Sequence, residues 1–441
     1  MSENFKLPVE RLDEWADDFH KDREAQMIAN AIKSSGLQPN FLQYDEKKNP
    51  FTFSVDINFD DVCDQGESGR CWGFSTLNAL RWNVKRKLNI DDSHFELSQN
   101  YLYFYDQLEK AWDFLNRIRK NASAGIDNPK IQKMLAFPIE DNGQAHRAVL
   151  LCEKYGVVPK YAMPDTECSK NTKPVTKILG MKLIYGANAL LKAAADGESE
   201  EKSDKIQIET LEGVVKILYR FLGEPPKKFN LEYRDTAGKY HNEQDINPVQ
   251  FYLDYAKRGE YVTLIHHPSD KLPFNQAYVY DFFEEGERTG PQTLINLDME
   301  DFKRIVINQL KNGDAAVLGA DVRQQNSREL GYMDENLYDY EAIFDTELKL
   351  SKRERIQLKA LKGTHIMTFT GVNIGADGKP DRWKVQNSYG KEKGINGFYL
   401  MTDAWFTEYV VSTLVNREVF PNDLAYLLNQ EPIPVSKGEF Y

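Results

Sequence analysis

The stretch DQGESGRCWGFS, residues 64–75, decides how the rest of the sequence is interpreted. Gly66 and Gly69, before Cys71, predict a loop, and apolar residues spaced by three and four after it predict a helix from Cys71 to about Leu88. The unpaired N–H groups at a helix start favour an anion and lower the pKa of a thiol. Cys71 is therefore a candidate nucleophile, although a cysteine beside an apolar helix is often only an inert packing residue.

A nucleophilic cysteine needs a base and a group that orients the base. Among seven histidines, His365 stands out because it begins an apolar strand followed by the turn signal Asp377-Gly378 and a second strand. Pairing the strands about residue 376 puts Asn387 opposite His365. The side-chain carbonyl oxygen of Asn387 can then accept a hydrogen bond from the imidazole and fix the orientation of the ring. A slip by one residue would turn Asn387 to the opposite face. Taken alone, a histidine is more often structural than catalytic.

Gln65 is the third candidate, because an acyl-transfer site needs donors for an oxyanion. It lies six residues before Cys71 in the glycine-bearing loop, so its amide can point toward the backbone N–H of Cys71. Taken singly, a solvated loop glutamine is the simpler interpretation.

Composition narrows the class of protein. The 441 residues carry 56 basic and 68 acidic side chains, a net charge of −12 that repels nucleic acid and anionic membranes. The four cysteines are too few for a disulfide-built scaffold, and no apolar run approaches the length of a membrane span. With no secretory signal visible, we expect a soluble, reduced, cytoplasmic protein. No metal-ligand spacing occurs, so neither metal nor cofactor is expected.

The order of the elements favours an α+β protein. Helical patterns dominate the first half, and strand patterns follow residue 232. Within the helical half, 195–205 is a charged tract and is predicted to be a solvated loop between two long helices. A cluster of basic residues over 349–362 has helical spacing, and we interpret it as the solvated face of a helix rather than a nucleic-acid site.

The quoted stretch resembles the active-site segment of the papain-like cysteine peptidases. His365 lies 294 residues after Cys71, however, about twice the ~130–150 of a small papain. Further segments are similar to the bleomycin hydrolase and aminopeptidase C family, and they occur in the family's order: LSQNYLYFYDQLEKAWDFL (97–115), EKYGVVPK (153–160), GTHIMTFTGV (363–372) and WKVQNSYG (383–390).

The resemblance implies a papain-like two-lobed core with a helical hook insertion. On this basis we divide the chain into a mainly helical lobe (1–172), a hook-like insertion for oligomerisation (173–229), a β-rich lobe (230–430) and a C-terminal tail near the cleft (431–441). In that family, hooks join six subunits, so a homohexamer is expected.

The resemblance also assigns roles by position. The nucleophile falls on Cys71, its imidazole on His365, the orienting amide on Asn387 and the oxyanion amide on Gln65. Substrate-binding positions fall on the following residues: Gly69, Asn142, Gly143 and Ala145. Tyr389 replaces the family's tryptophan that shields the Asn–His bond, and Ala145 replaces a tryptophan in the cleft segment, which opens space there.

The tail suggests how the substrate lies. Family aminopeptidases end in a tail longer by about four residues, ~13 Å when extended, whose carboxylate pairs with the substrate's N-terminal ammonium. Here the chain reads IPVSKGEFY after Pro432. We therefore expect an endopeptidase acting on oligopeptides, similar to the bacterial thiol endopeptidases of the family. An aminopeptidase is the main alternative, and a thiol acyltransferase or a non-hydrolytic binder is a more distant one.

Overall fold

The computed structural model describes residues 9–37, 41–44, 50–57, 61–280 and 292–435. Its helices are α1 (Leu12–Lys21), α2 (Arg23–Ser35), α3 (Cys71–Leu88), α4 (Gln99–Asn121), α5 (Pro129–Ala136), α6 (Ala145–Tyr155), α7 (Glu167–Lys170), α8 (Lys173–Ala195), α9 (Glu200–Leu222), α10 (Pro248–Phe251), α11 (Met299–Lys311), α12 (Tyr340–Phe344), α13 (Lys352–Gln357) and α14 (Asp403–Tyr409). Its strands are β1 (Val55–Asp56), β2 (Phe229–Arg234), β3 (Tyr240–Ile246), β4 (Tyr261–Ile265), β5 (Gln276–Tyr280), β6 (Gln292–Asn296), β7 (Ala316–Ala320), β8 (Asn326–Ser327), β9 (Tyr332–Met333), β10 (His365–Ile374), β11 (Pro380–Gln386), β12 (Phe398–Thr402), β13 (Val410–Asn416) and β14 (Ile433–Val435).

Twelve described strands form one sheet in the order β14-β5-β6-β4-β13-β7-β10-β11-β12-β9-β8, with β1 beside β10. The pairs β14–β5, β4–β6 and β9–β12 are parallel, and the other neighbours are antiparallel. Strands β2 and β3 form a separate hairpin. Helices that precede a mostly antiparallel sheet confirm the predicted α+β class.

Two large apolar clusters form the cores of the two lobes. The first packs α3, α4, α6, α8 and α9 together, and the second packs α11 and α14 against β7, β10 and β11. The first cluster also contains Phe251, Tyr252 and Ala256, whereas the second begins at Leu264. The predicted boundary at residue 230 is therefore too early, because β2 and α10 bury their apolar side chains against the helical lobe.

The long helices α8 and α9 occupy the predicted insertion. Both pack along α4 as well as on each other, so their inner faces belong to the core of the helical lobe. The charged tract is shorter than predicted: the side chain of Ser199 caps the next helix, which begins at Glu200. Helix α8 is the one described helix that is long and apolar enough to cross a membrane by length and composition alone.

The basic cluster at 349–362 does not form the solvated helical face that was predicted for it. Helix α13 ends at Gln357, so the predicted helical face does not extend through the cluster. Lys352 is buried, and its ammonium donates to the carbonyl oxygens of Thr407 at 2.8 Å and Val410 at 2.7 Å. Only part of the cluster is solvated.

The β10–β11 hairpin forms about the predicted turn, but in a different register. Thr368 pairs with Gln386, and Ile374 with Pro380, so the turn is centred on residue 377 rather than 376. Continuing this register places Tyr389, not Asn387, opposite His365. Because the shift is two residues, Asn387 stays on the same face as His365.

Candidate active site

Cys71 is the first residue of α3 and is partly exposed at the floor of a cavity. The N–H groups of Cys71 and Trp72 precede the first intrahelical hydrogen bonds, and both are donors that lower the pKa of the thiol. A third donor is the backbone N–H of Ile366, the residue after His365. The sulfur therefore lies at the junction of the helical lobe and strand β10.

Side chains on α3 fix this junction. Ser75, one turn after Cys71, donates its hydroxyl to the carbonyl oxygen of Ile366 at 2.8 Å, and Thr368 donates to the carbonyl oxygen of Ser75 at 3.1 Å. One turn further, Asn78 donates its amide to the side-chain oxygen of Gln386 at 3.0 Å. The helix that carries the thiol is thus bonded to both strands that carry the other candidates.

The pKa of the Cys71 thiol differs from expectation. The backbone donors lower it, as predicted for a helix start, but burial outweighs them and raises it to about 11. The helix start and burial therefore act on the thiol in opposite directions.

His365 and Asn387 are joined directly. The imidazole Nε2 donates to the side-chain oxygen of Asn387 at 2.8 Å, and both residues are buried. The same oxygen accepts the N–H of Ser388 at 2.8 Å, which fixes the orientation of the amide. Because Nε2 is occupied, Nδ1 is the nitrogen left to accept a proton. Burial lowers the pKa of His365 to about 4, so the ring is neutral and basic at neutral pH.

Tyr389 lies against the same ring. The Tyr389 and His365 rings are stacked with centroids 4.9 Å apart and planes 12° from parallel. The guanidinium of Arg328 lies over the Tyr389 ring, 4.9 Å from its centroid, and its charge also lowers the pKa of His365. Tyr389 therefore occupies the shielding position expected of it, with a cation beside it.

Gln65 is buried, 6% exposed, rather than solvated. Its side-chain oxygen accepts the hydroxyl of Ser388 at 2.6 Å, and its amide nitrogen donates to the carbonyl oxygen of Ser68 at 2.6 Å. One amide hydrogen remains for another acceptor. Gln65 lines the same cavity as Cys71, so it is placed where an oxyanion donor is needed.

The substrate-binding candidates Gly69, Asn142, Gly143 and Ala145 all line this cavity. Asp141 holds their loops together: its carboxylate accepts the N–H of Gly69 at 2.7 Å, and its carbonyl oxygen accepts the indole N–H of Trp72 at 3.0 Å. A Cβ on Gly143 would lie 2.6 Å from the Trp72 ring, so this close approach requires glycine.

The cavity has a volume of about 770 Å³ and runs between the two lobes. From β10 it crosses β7, β13, β4 and β6, four strand spacings or about 19 Å. An extended peptide of about five residues has that length. Ile265 and Leu294, at its far end, belong to an apolar cluster against which Val435 of β14 packs. The tail beyond Val435 lies outside the described residues.

The charged side chains among the described residues that line the cavity all have the same sign. Among the described lining residues there is no Asp or Glu, whereas Lys359 and Lys362 both line it. The charged side chains of the described lining are therefore all basic, although the carboxylate of Asp141, which is not among them, adds to the effect of burial in raising the pKa of Cys71.

The structure thus brings together every site residue proposed from the sequence. It adds three that sequence reasoning missed: Asp141, Ser388 and Arg328. Ser388 lies within the NSYG motif, so its contact with Gln65 was open to inference, but nothing in the sequence links Arg328 to His365. Within the described ranges, no group of three or more His, Cys, Asp or Glu side chains is placed to hold a metal ion, and all four cysteines are unpaired.

Comparison with known proteins gives consistent matches. Residues 6–437 match the Peptidase C1-like family. Aminopeptidase E of Lactobacillus helveticus is 36% identical over 417 residues, 94% of each chain. Aminopeptidase G of Lactobacillus delbrueckii subsp. lactis is 35% identical over 436 residues, 98% of each chain. The crystal structure of PepW from Lactobacillus rhamnosis HN001 is 32% identical, with a TM-score of 0.92 over 99% of this chain and 98% of that one.

Proposed function

This chain belongs to the Peptidase C1-like family and is a cysteine-type peptidase, and from that premise we propose that it hydrolyses internal peptide bonds of oligopeptides with Cys71 as the nucleophile. His365 is the general base and acid, Asn387 orients it, and Gln65 and the Cys71 N–H hold the oxyanion.

The reaction follows from these positions. Nδ1 of His365 takes the thiol proton as the sulfur bonds to the carbonyl carbon, and the carbonyl electron pair moves to the oxygen. When the pair returns, the C–N bond breaks, and the imidazolium protonates the leaving amine. His365 then deprotonates a water that attacks the thioester, which releases the acid and returns the proton to sulfur. Because burial disfavours either ion alone, we expect proton transfer and attack to be coupled.

The observation that supports internal cleavage is the cavity on one side of Cys71. It has room for about five extended residues, and its described lining contains no carboxylate to pair with a substrate's N-terminal ammonium. An aminopeptidase must neutralise that ammonium near the scissile bond, because an unpaired charge is costly to bury.

Aminopeptidase activity is the second candidate, and the names of the relatives favour it, since those compared here are called aminopeptidases. It would require a carboxylate from outside the described residues to reach the cavity.

An internally quenched hexapeptide, with either a free or an acetylated N-terminus, distinguishes internal cleavage from aminopeptidase activity. We expect both forms to be cut at the same internal bond with similar kcat/KM. Release of N-terminal amino acids from the free form, with no cleavage of the acetylated form, would overturn the proposal.

The role of Cys71 is tested by Cys71→Ala, with Cys168→Ala as the matched control, since Cys168 is the other partly exposed cysteine. We expect Cys71→Ala to abolish turnover with an unchanged melting temperature, and Cys168→Ala to retain activity. Residual turnover by Cys71→Ala above the rate without enzyme would exclude this residue as the nucleophile.

We also propose a cytoplasmic homohexamer assembled through α8 and α9. The support is the outer face of α8, where Met181 is 63% and Tyr185 68% exposed although the inner face is fully packed. Native mass spectrometry should give six times 50.9 kDa, and Met181→Asp with Tyr185→Asp should yield smaller species. A wild-type monomer would refute the assembly.

A further inference from the structure

Positive charge lines the cavity of a protein that is otherwise acidic. The chain has 68 acidic residues among 441 and a net charge of −12, yet the described lining contains lysines and no acidic side chain. The charged side chains of the described lining therefore have the opposite sign to the net charge of the chain.

Two carboxylates accept hydrogen bonds from residues that line the cavity, and one of them, Asp321, also accepts the backbone N–H of Lys362 at 3.4 Å. Asp141 is bonded to the N–H of Gly69 and to the hydroxyl of Thr172. Asp321, at the end of β7, is fully buried and accepts the hydroxyl of Thr364 at 3.2 Å and the guanidinium of Arg323 at 3.2 Å. Neither carboxylate forms an ion pair with a lysine of the lining.

Lys359 and Lys362 are held close to the reacting groups by their own segment. Lys359 has a left-handed backbone (φ +59°), which reverses the chain after α13, and the buried side chain of Leu361 anchors the segment. Three residues after Lys362 the chain enters β10 at His365. Both lysines are exposed, and within the described part of the chain neither ammonium has an ion-pair partner.

The other basic residues of this segment differ. Lys352 is buried against backbone carbonyls, Arg353 pairs with Asp270, and Arg355 pairs with Glu408. These three side chains already have partners within the protein. The charges of Lys359 and Lys362 therefore remain available to a bound molecule.

We infer that Lys359 and Lys362 form a subsite for an acidic side chain, so that peptides with Glu or Asp close to the scissile bond are the preferred substrates. This rests on the proposed function and specifies its substrate class. The carboxylate of the bound peptide pairs with the two ammonium groups, and a lysine at the same position is repelled.

The test uses acetylated, internally quenched peptides that differ only at one residue close to the cut, on either side of it, with Glu, Gln or Lys there. An exposed ion pair changes binding by up to about fivefold, so we expect kcat/KM for Glu to exceed that for Lys by about 3- to 20-fold at one position. The preference should shrink in 0.5 M NaCl, because salt screens exposed charges.

Charge reversal identifies the residues. The double variant Lys359→Glu/Lys362→Glu should invert the preference between Glu and Lys peptides. Lys379→Glu, the same change at the distant β10–β11 turn, should keep the wild-type ratio. Equal rates for all three peptides at every position, or a preference that the double variant does not change, would overturn this inference. Failure to cut any acetylated peptide would instead overturn the proposed internal cleavage.

Discussion

The ring of Tyr389 stacks on the imidazole of His365, with centroids 4.9 Å apart, and the same imidazole donates to the side-chain oxygen of Asn387 at 2.8 Å. A ring in this position keeps water from competing for the imidazole N–H. The hairpin pairing ends at Thr368 and Gln386, so Tyr389 reaches His365 from the segment that follows β11.

Replacing Tyr389 should therefore reduce catalysis according to the ring that remains. Stacked aromatic pairs are worth about 0.5–1.5 kcal/mol, so Tyr389→Ala should lower kcat by about 2- to 12-fold, whereas Tyr389→Trp should retain wild-type kcat. Steady-state kinetics on one acetylated peptide decides this, and equal kcat for Tyr389→Ala and wild type would remove the shielding role.

Arg328 should control the acidic limb of the pH profile. Its cation disfavours the imidazolium and, after burial, helps to hold the pKa of His365 low, at about 4. Since the neutral ring is the base, activity is lost as pH falls through this pKa. Arg328→Gln should move the acidic limb of the pH profile of kcat/KM to higher pH. Arg328→Lys should return this limb to its wild-type position.

Other groups near His365 keep their charge in that experiment. Cys71 and Tyr389 are neutral, Tyr399 donates its hydroxyl to the carbonyl oxygen of Arg328, and Glu329 pairs with a lysine at 2.5 Å. Arg220→Gln, on the outer face of α9, is the matched control. An unmoved limb in Arg328→Gln would show that Arg328 does not act on the imidazole.

Asn387→Ala should slow the chemical step while leaving substrate binding unchanged. The change leaves the buried Nε2–H of His365 without an acceptor, which costs about 1–3 kcal/mol, so kcat should fall by about 5- to 150-fold with little change in KM. Asn373→Ala, at the end of β10 far from His365 and bonded to Asp381, should match wild type. A large rise in KM with normal kcat would contradict the orienting role.

Gly143→Ala should disturb the cleft. The added Cβ would lie 2.6 Å from Trp72, and overpacking of this kind costs about 1–3 kcal/mol of unfolding free energy. We expect a raised KM and lower stability in urea. Gly363→Ala is the control, because its Cβ would meet only Val411 at 3.4 Å in the same cavity; similar losses in both variants would show no special need for glycine at 143.

Local signals in the sequence predicted local structure well. The helix from Cys71 to Leu88 was predicted with its observed bounds, since the glycine loop and the apolar spacing both lie within about 25 residues. The burial of Lys352 could not be predicted from its charge, because the two carbonyl oxygens that it contacts belong to residues distant in sequence. The raised pKa of Cys71 was missed for the same reason: burial is a property of the assembled lobes.

The pairing of His365 with Asn387 was predicted from a register that proved wrong by two residues. The contact survives because a shift of two keeps both side chains on one face, within the diagonal reach of neighbouring strands. A shift of one would have separated them. Arg328 and Asp141 could not be predicted, because loops with no pattern of their own carry them to the site.

Strand β1 has a consequence for biosynthesis. It precedes the helical lobe in the chain but pairs with β10 in the other lobe, and Ser54 contacts the backbone of Val372, 318 residues later. At 5–20 residues per second a ribosome needs about 16–60 s to make that interval. The nascent chain must keep this segment unpaired throughout, and His365 emerges only near the end of translation. The enzyme therefore cannot cut neighbouring nascent polypeptides until its own synthesis is almost finished.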